Sequence, residues 1–249
     1  MIFVDTLEGF GKYITMLGSI FAKPEKFSMF WRETLRQMYD IGVGSFWIIA
    51  IVGTFIGAVT AIQFSNKLLN FGFIPMWWMG GMTRDSMILE LAPTISALLL
   101  AGKVGSNIAT ELGTMRITEQ IDAMDIMGVN TRAFLIGPKI LGGLLIVPSL
   151  ITMAMILGII GGGVAGEFGG YYSFEEYKYG LQDDFQTQYV KLMIIKSLVF
   201  PFLITSISCY KGFYVKGGAL QLGKASTDAV VYSSIAVVVA NFVIAFLFL

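Results

Sequence analysis

The stretch FLIGPKILGGLLIVPSLITMAMILGIIGGG, residues 134–163, decides the fold class of this chain. It carries one charged residue, Lys139, and as a helix rising about 1.5 Å per residue it is long enough to cross a hydrocarbon core of about 30 Å. Further stretches of the same character lie on either side of it. The sequence therefore predicts five membrane-spanning helices, near residues 44–66, 86–108, 134–163, 189–210 and 228–248.

The composition of the whole chain supports lipid as its main solvent. Of 249 residues, 55% are apolar and 14% are charged, whereas soluble domains carry about 25% charged residues. Acidic and basic residues both number 17, which leaves no basic footprint for a nucleic acid. Cys209 is the single cysteine and histidine is absent, which argues against metal, redox and triad chemistry. We predict one all-α membrane domain over residues 1–249, not an enzyme, with no metal or cofactor of its own.

Residues 1–40 precede the first predicted span and have a mixed character. An apolar stripe with helical spacing predicts an amphipathic helix in the membrane interface, although a helix packed on protein fits equally well. After Pro24, the segment 27–40 is rich in aromatic residues and carries Arg32 and Arg36, so it too is assigned to the interface. The stripe consists of Phe3, Leu7, Phe10, Ile14, Leu17 and Phe21.

The distribution of lysine and arginine predicts the orientation, because cytoplasmic loops carry an excess of both. With the N-terminus inside and the C-terminus outside, 12 of the 17 basic residues are cytoplasmic. The five predicted outside are Lys67, Arg84, Lys178, Lys191 and Lys196, and the outer loop 167–184 is acidic.

The loop between spans two and three, residues 109–130, reads ATELGTMRITEQIDAMDIMGVN. Thr118 is placed to cap a helix and Gly128 to end one, which predicts a short cytoplasmic helix within 109–128. Its apolar side carries Ile117, Ile121 and Met124. Such a helix either rests on its own bundle and the lipid surface, or docks in a groove on a partner.

Two charged side chains lie inside predicted spans. Glu90 is about one turn inside the outer end of span two, and Lys196 about two turns inside that of span four. Because a lone charge in hydrocarbon costs about 2.5 kcal/mol or more, we predict that the two form an ion pair. The alternative is that Glu90 stabilises a helix terminus while Lys196 snorkels to the headgroups. Lys103, at the inner end of span two, is interpreted as a snorkelling anchor.

Two glycine motifs mimic nucleotide-binding loops. GALQLGK, residues 218–224, approaches a phosphate-binding loop, but Ala225 stands where serine or threonine would hold magnesium. Gly161, Gly163 and Gly166 match a dinucleotide-binding pattern but end an apolar span. Together with Gly53-x-x-x-Gly57, that cluster is typical of close helix packing.

The segments ELAPTISALLLAGKVGS (residues 90–106) and ELGTMRITEQIDAMDIMGVN (111–130) resemble the signature of MlaE-type (YrbE-type) permeases. Pro138-Lys139 and YVKGGA, residues 214–219, are similar to further motifs of that family. One position departs: Leu89 precedes Glu90 where the family usually has arginine. Any role that depends on an adjacent Arg–Glu pair is therefore in doubt.

The resemblance implies a homodimeric permease in a bacterial inner membrane that moves phospholipid or a similar lipid to or from periplasmic MCE-domain carriers. It also implies one ABC ATPase subunit, holding ATP and Mg, docked on each coupling helix, and it allows for a small STAS-type regulatory subunit. The coupling residues it implies are Glu111, Leu112, Gly113, Thr114, Met115, Glu119, Gln120, Ile121, Asp122 and Met124.

Spans one, two and five are rich in large apolar residues and are candidates to line a lipid cavity at the dimer interface. Val59 and Gln63 of span one, with Asn241 of span five, are the candidate lining residues, and both polar side chains could equally contact a neighbouring helix. Three other functions remain open: a secondary transporter or channel, another ATPase-coupled importer subunit for a hydrophobic solute, and a membrane enzyme acting on lipids.

Overall fold

The computed structural model describes residues 2–20, 27–71 and 75–248, with the side chains of residues 2–7, 10 and 71 left out. The predicted positions Phe3, Leu7, Phe10, Phe21 and Pro24 therefore fall outside the described side chains. The described residues are mostly helical, with short turns between the helices, and contain no strand. The α-helices are α1 Ile2–Ile20, α2 Phe27–Phe71, α3 Trp78–Ser86, α4 Ser96–Leu100, α5 Ser106–Ile117, α6 Gln120–Ile126, α7 Gly137–Phe168, α8 Phe174–Gln182, α9 Thr187–Phe213 and α10 Ala219–Phe248.

Five of the described helical stretches are long and apolar enough to cross a membrane, which confirms the predicted number of spans. Each is longer than its predicted counterpart, because the helix continues past the apolar run that marks it in the sequence. Span two joins α3, α4 and α5 through π-helical turns at Met87–Ile95 and Ala101–Gly105. The spans are Phe27–Asn70, Trp78–Ile117, Arg132–Phe168, Thr187–Phe213 and Ala219–Phe248.

The segment 27–40 was predicted to be an interfacial segment that precedes span one, but it is not a separate helix. It forms the first turns of α2, whose 45 residues correspond to about 68 Å at about 1.5 Å per residue. No proline or glycine pair interrupts the run from Phe27 to Gly42, so the helix passes through the charged residues Arg36 and Asp40 without a break.

The chain divides into two compact units, and each of the five long helices contributes residues to both. Unit 1 comprises the residues up to Gly42 with Leu100–Ile146 and Phe200–Val237. Unit 2 comprises Val43–Leu99, Val147–Val199 and the residues from Val238 onward.

In unit 1, helix α1 packs on α9. The hydroxyls of Tyr13 and Ser206 form a hydrogen bond of 2.8 Å. The Tyr13 ring packs edge-on against the Tyr210 ring, with 5.7 Å between the ring centroids. Met16 is fully buried, whereas Ile14 of the predicted stripe is half exposed. The N-terminal helix is therefore present as predicted, but the side with Tyr13 and Met16 carries its packing on protein.

In unit 2, α2 and α7 lie with their backbones in contact. A Cβ atom added to Gly57 would collide with the Gly158 carbonyl, and one added to Gly53 would lie 2.9 Å from the Ala154 carbonyl oxygen. The close-packing interpretation of the Gly53-x-x-x-Gly57 motif is thus confirmed. Gly166 has a different neighbour, because the ring of Tyr172 fills the space beside it.

The segment after α7 is held to unit 2 by two stacked tyrosines. The Tyr172 and Tyr177 rings lie 5.6 Å apart, and their hydroxyls donate to the carbonyls of Gly162 (2.6 Å) and Ile159 (2.9 Å). Burial raises the pKa of Tyr172 to about 12. Arg84 closes the far end of α8 by donating to the carbonyls of Leu181, Asp183 and Asp184.

Candidate coupling segment and intramembrane polar cluster

The sequence that predicts one coupling helix folds as two helices with a bend between them. Helix α5 continues span two as far as Ile117, and α6 runs from Gln120 to Ile126. Thr118 does not cap the second helix, because its hydroxyl donates 2.9 Å back to the Thr114 carbonyl at the end of α5. We call α5, the bend and α6 the coupling segment (residues 106–128).

Glu119 forms the bend with φ of 59°, in the left-handed region that residues with a side chain rarely adopt. The predicted end at Gly128 is correct. Its φ is +84°, its N–H donates to the Asp125 carbonyl, and the following N–H donates to the Met124 carbonyl. This double hydrogen bond is the usual glycine termination of a helix.

Two side-chain contacts hold the bend and α6 in place. The Arg116 guanidinium donates to the Asp122 carboxylate at 2.5 Å, joining the end of α5 to α6. The Thr131 hydroxyl donates to the Asp125 carboxylate at 2.7 Å, joining α6 to the start of span three. A helix of seven residues is unstable alone, so these contacts and packing define its position.

The coupling residues named from the sequence differ in accessibility. Leu112, Gly113 and Ile121 are buried inside the chain, so they cannot form part of an accessible docking face. Ile121 is fully buried, so it packs α6 against the chain, and its part in coupling stays a prediction. Those at the surface are Glu111, Thr114, Glu119 and Gln120, and those partly buried are Met115, Asp122 and Met124.

The exposed apolar residues of the segment are instead Ile126 and Met127, which are 87% and 71% exposed. They were not predicted, because the predicted helix keeps one continuous apolar side from Ile117 through Gly128. Because Glu119 has a left-handed backbone conformation, α6 does not continue the apolar side of α5. Ile121 therefore faces the interior of the chain, and the end of α6 faces outward.

An ion pair between α5 and α7 in unit 1 was not foreseen. Lys139 Nζ lies 2.6 Å from Glu111 Oε2, joining the first turn of α7 to α5. The Lys139 side chain is 3% exposed, whereas that of Glu111 is 52% exposed. Both residues belong to the quoted motifs, but their spacing of 28 positions gives no sign that they meet.

In unit 2 the structure brings Glu90 and Lys196 together. Lys196 Nζ donates to Glu90 Oε1 and to the Leu89 carbonyl, both at 2.7 Å, and the lysine side chain is 1% exposed. The other carboxylate oxygen, Glu90 Oε2, accepts from Asn241 Nδ2 at 2.8 Å and from the Thr94 hydroxyl at 3.3 Å.

This polar cluster (Glu90, Thr94, Lys196 and Asn241) gives each charge a partner inside the span region, as the cost of an isolated charge there requires. Asn241 thus contacts a neighbouring helix. Val59 and Gln63 lie one turn apart on an exposed side of α2 and are not part of this cluster.

Comparison with known proteins places these features in a family. The sequence model described as Permease MlaE matches residues 34–247. The chain belongs to the MlaE permease family. Relatives include a probable ABC transporter permease protein of Rickettsia bellii, 32% identical over 94% of this chain and 88% of the relative. The probable ABC transporter permease protein slr1045 of Synechocystis is 34% identical over 87% of this chain and 81% of its own length.

A third relative in the MlaE permease family carries a more specific name. It is the intermembrane phospholipid transport system permease protein MlaE of Haemophilus influenzae, 28% identical over 97% of this chain and 92% of its own length. With this family membership, and with five helices in the described part of the chain long and apolar enough to cross a membrane, the chain is a multi-pass membrane protein of the permease type.

The glycine-rich segment 218–224 of this MlaE permease family member lies at the start of a helix. It forms the first turns of α10, which begins at Ala219, and the Gly218 N–H donates to the Gln221 side chain at 3.1 Å. That this segment binds no nucleotide stays a prediction, made from Ala225 at the position where serine or threonine would hold magnesium.

Proposed function

We propose that this permease is the membrane subunit of an ABC transporter that moves phospholipid or a similar lipid, and that a separate ATPase subunit supplies the energy. The names of the Rickettsia and Synechocystis relatives support the transporter class, and that of the Haemophilus relative supports the lipid. In this proposal the chain itself binds neither ATP nor Mg.

The coupling segment carries the proposal. Ile126 and Met127 project from the end of a short helix whose position is defined by the Arg116–Asp122 and Thr131–Asp125 contacts. An apolar tip on a rigidly held helix is a typical anchor for a hydrophobic groove on a partner. Since the segment continues span two directly, a partner that moves the tip would also move that span.

A lipid cargo sets the physical task of the permease. Withdrawing an acyl chain of about 14 methylenes into water costs about 11 kcal/mol at about 0.8 kcal/mol per methylene. An apolar cavity that holds the chain throughout avoids this cost. The outward positions of Val59 and Gln63 on α2 are compatible with a cavity lined jointly by two copies of the chain, as in a homodimer.

The proposed location is a bacterial inner membrane, with the N-terminus cytoplasmic and the C-terminus periplasmic. The excess of basic residues on the side of the coupling segment supports this orientation. The acidic loop 167–184 then faces the periplasm, on the side where an MCE-domain carrier would exchange lipid with the permease.

The deciding experiment is gentle purification of the permease co-expressed with its ATPase. We expect Ile126→Asp to reduce the retained ATPase about tenfold or more, since losing an interface anchor costs about 2 kcal/mol or more. Phe168→Asp is the matched control. Phe168 is also highly exposed, at 90%, but it ends α7, whereas the coupling segment contacts the start of α7 through the Glu111–Lys139 pair. Undiminished ATPase on the Ile126→Asp variant would refute the docking proposal.

One observation favours a second candidate, a secondary transporter. The Glu90–Lys196 pair lies within two spans, with Lys196 buried and the Glu90 side chain 43% exposed, and in this it resembles the ion relays of gradient-driven carriers. Lipid transfer by reconstituted permease that needs an ion gradient and no ATPase would select that function over the first.

A further inference from the structure

The Glu111–Lys139 pair is unusual in how unequally its two members are exposed. Lys139 is enclosed at the start of α7 and Glu111 Oε2 lies 2.6 Å from its ammonium, while half of the Glu111 side chain remains accessible. Burying a lysine is costly, and an apolar residue of similar volume in its place is often neutral or stabilising. Fold stability alone therefore does not explain why this position carries a charge.

The pair is one of several connections that hold α5 in unit 1, since Thr110 and Ser106 of α5 also form hydrogen bonds with Ser226 of α10. On one side, Leu112 and Gly113 face the end of α9 and the start of α10: a Cβ on Gly113 would lie 3.6 Å from the Gly212 carbonyl oxygen and 2.5 Å from the Leu222 side chain. On the other side, the carboxylate of Glu111 reaches Lys139 of α7. Apolar surfaces can slide over one another, whereas a charge-assisted hydrogen bond has a fixed length and direction.

The accessible part of Glu111 belongs to an exposed polar face of α5. Glu111, Thr114 and Thr118 follow one another at helical spacing along it, and all three are exposed. Glu111 is thus both a surface residue of the coupling segment and the partner of a buried cation in span three.

We infer that Lys139 is a positioning residue for energy coupling: through Glu111 it makes the third spanning helix follow any displacement of the coupling segment. The inference rests on the proposed function, in which a docked ATPase displaces that segment. Lys139 itself touches neither cargo nor nucleotide in this scheme.

The experiment measures the lipid transferred per ATP hydrolysed by the permease–ATPase complex, reconstituted in vesicles that contain a fluorescent phospholipid. The main variant is the double replacement Glu111→Gln with Lys139→Met, which removes the ion pair and leaves no unpaired buried charge. Lys139→Arg retains the pair, and the exchange Glu111→Lys with Lys139→Glu restores it in reverse. Arg36→Met is the matched control, because the Arg36–Asp40 contact is exposed on both sides.

We expect the double replacement to keep the ATPase bound and hydrolysing while lipid transferred per ATP falls about tenfold, within the range typical of coupling between sites. Lys139→Arg and Arg36→Met should keep the wild-type ratio. A double replacement with the wild-type ratio would overturn the inference. If the double replacement fails to accumulate, the reversed pair decides: recovery of protein and ratio together supports the inference, and recovery of protein with a lost ratio overturns it.

In this assay, failure of the proposed function can be distinguished from failure of the inference about Lys139. Wild-type permease that retains no ATPase, or whose lipid transfer is independent of ATP, refutes the function itself. The inference about Lys139 fails alone when the wild type couples and the double replacement couples equally well.

Discussion

Removing the carboxylate of Glu90 tests the polar cluster most directly. In Glu90→Leu the Lys196 ammonium loses its charged partner and keeps only the Leu89 carbonyl, and the Asn241 amide loses its acceptor. Breaking a buried pair from one side costs about 3–5 kcal/mol because an uncompensated charge remains. Since the lysine side chain is 1% exposed, water cannot replace the lost partner.

The reverse truncation should be milder. In Lys196→Met the carboxylate of Glu90 keeps hydrogen bonds from Asn241 and Thr94, so the loss is about 1–3 kcal/mol, that of one unsatisfied polar group. The double variant Glu90→Leu with Lys196→Met should be more stable than Glu90→Leu alone, because no buried charge is left.

The assay is thermal unfolding of purified permease in detergent, followed by the loss of the monodisperse peak in size-exclusion chromatography. Glu175→Leu, which removes an exposed carboxylate from α8, serves as the control and should unfold like the wild type. Equal stability of Glu90→Leu and the control, or a double variant less stable than Glu90→Leu, would show that the pair does not hold these helices together.

Three further predictions concern other parts of the molecule. Ile121→Asp should lower the stability of the permease itself by about 3 kcal/mol or more, because it places a charge at a fully buried site. Ile126→Asp should unfold like the wild type, because Ile126 is exposed. Thermal unfolding of both variants without ATPase checks this difference. Glu119→Gly should stabilise the bend by up to about 1 kcal/mol and Glu119→Val should destabilise it, since only glycine adopts a φ of 59° freely, and the order of their unfolding temperatures decides. Tyr172 should stay protonated at a pH where ordinary tyrosines ionise, because its pKa rises on folding from 10.0 to about 12. Its contribution to stability is therefore complete below pH 10 and is lost as the pH rises toward 12. A phenolate absorbance titration that compares Tyr172→Phe with the wild type would reveal the raised pKa.

The five spans were predictable because the bilayer imposes its thickness on the sequence. An uncharged run such as residues 140–163 has few alternatives to a membrane-spanning helix, whatever its neighbours do. The ends of the helices were harder to predict, because a helix can continue into charged sequence wherever packing supports it. The continuation of α2 back to Phe27 is of this kind.

The pairing of Glu90 with Lys196 was also accessible from the sequence, since a charge inside a span requires a partner and few were available. The Glu111–Lys139 pair lay beyond that reasoning, because both residues stand near span ends where a charge can reach water on its own. The burial of Ile121 was hidden for a different reason: a single residue in the left-handed region changes which side of the following helix faces the core, and glutamate gives no signal of that conformation.

The backbone contact between Gly57 and Gly158 has a practical use for anyone who measures motion in this permease. Two helices that already touch without side chains between them cannot approach further, and separating them would open a gap in the packing. Spin labels at Phe55 and Ile160, which are both exposed beside this contact, should therefore report one invariant distance through the whole ATPase cycle. That distance would serve as a built-in length standard against which displacements elsewhere in the molecule could be calibrated.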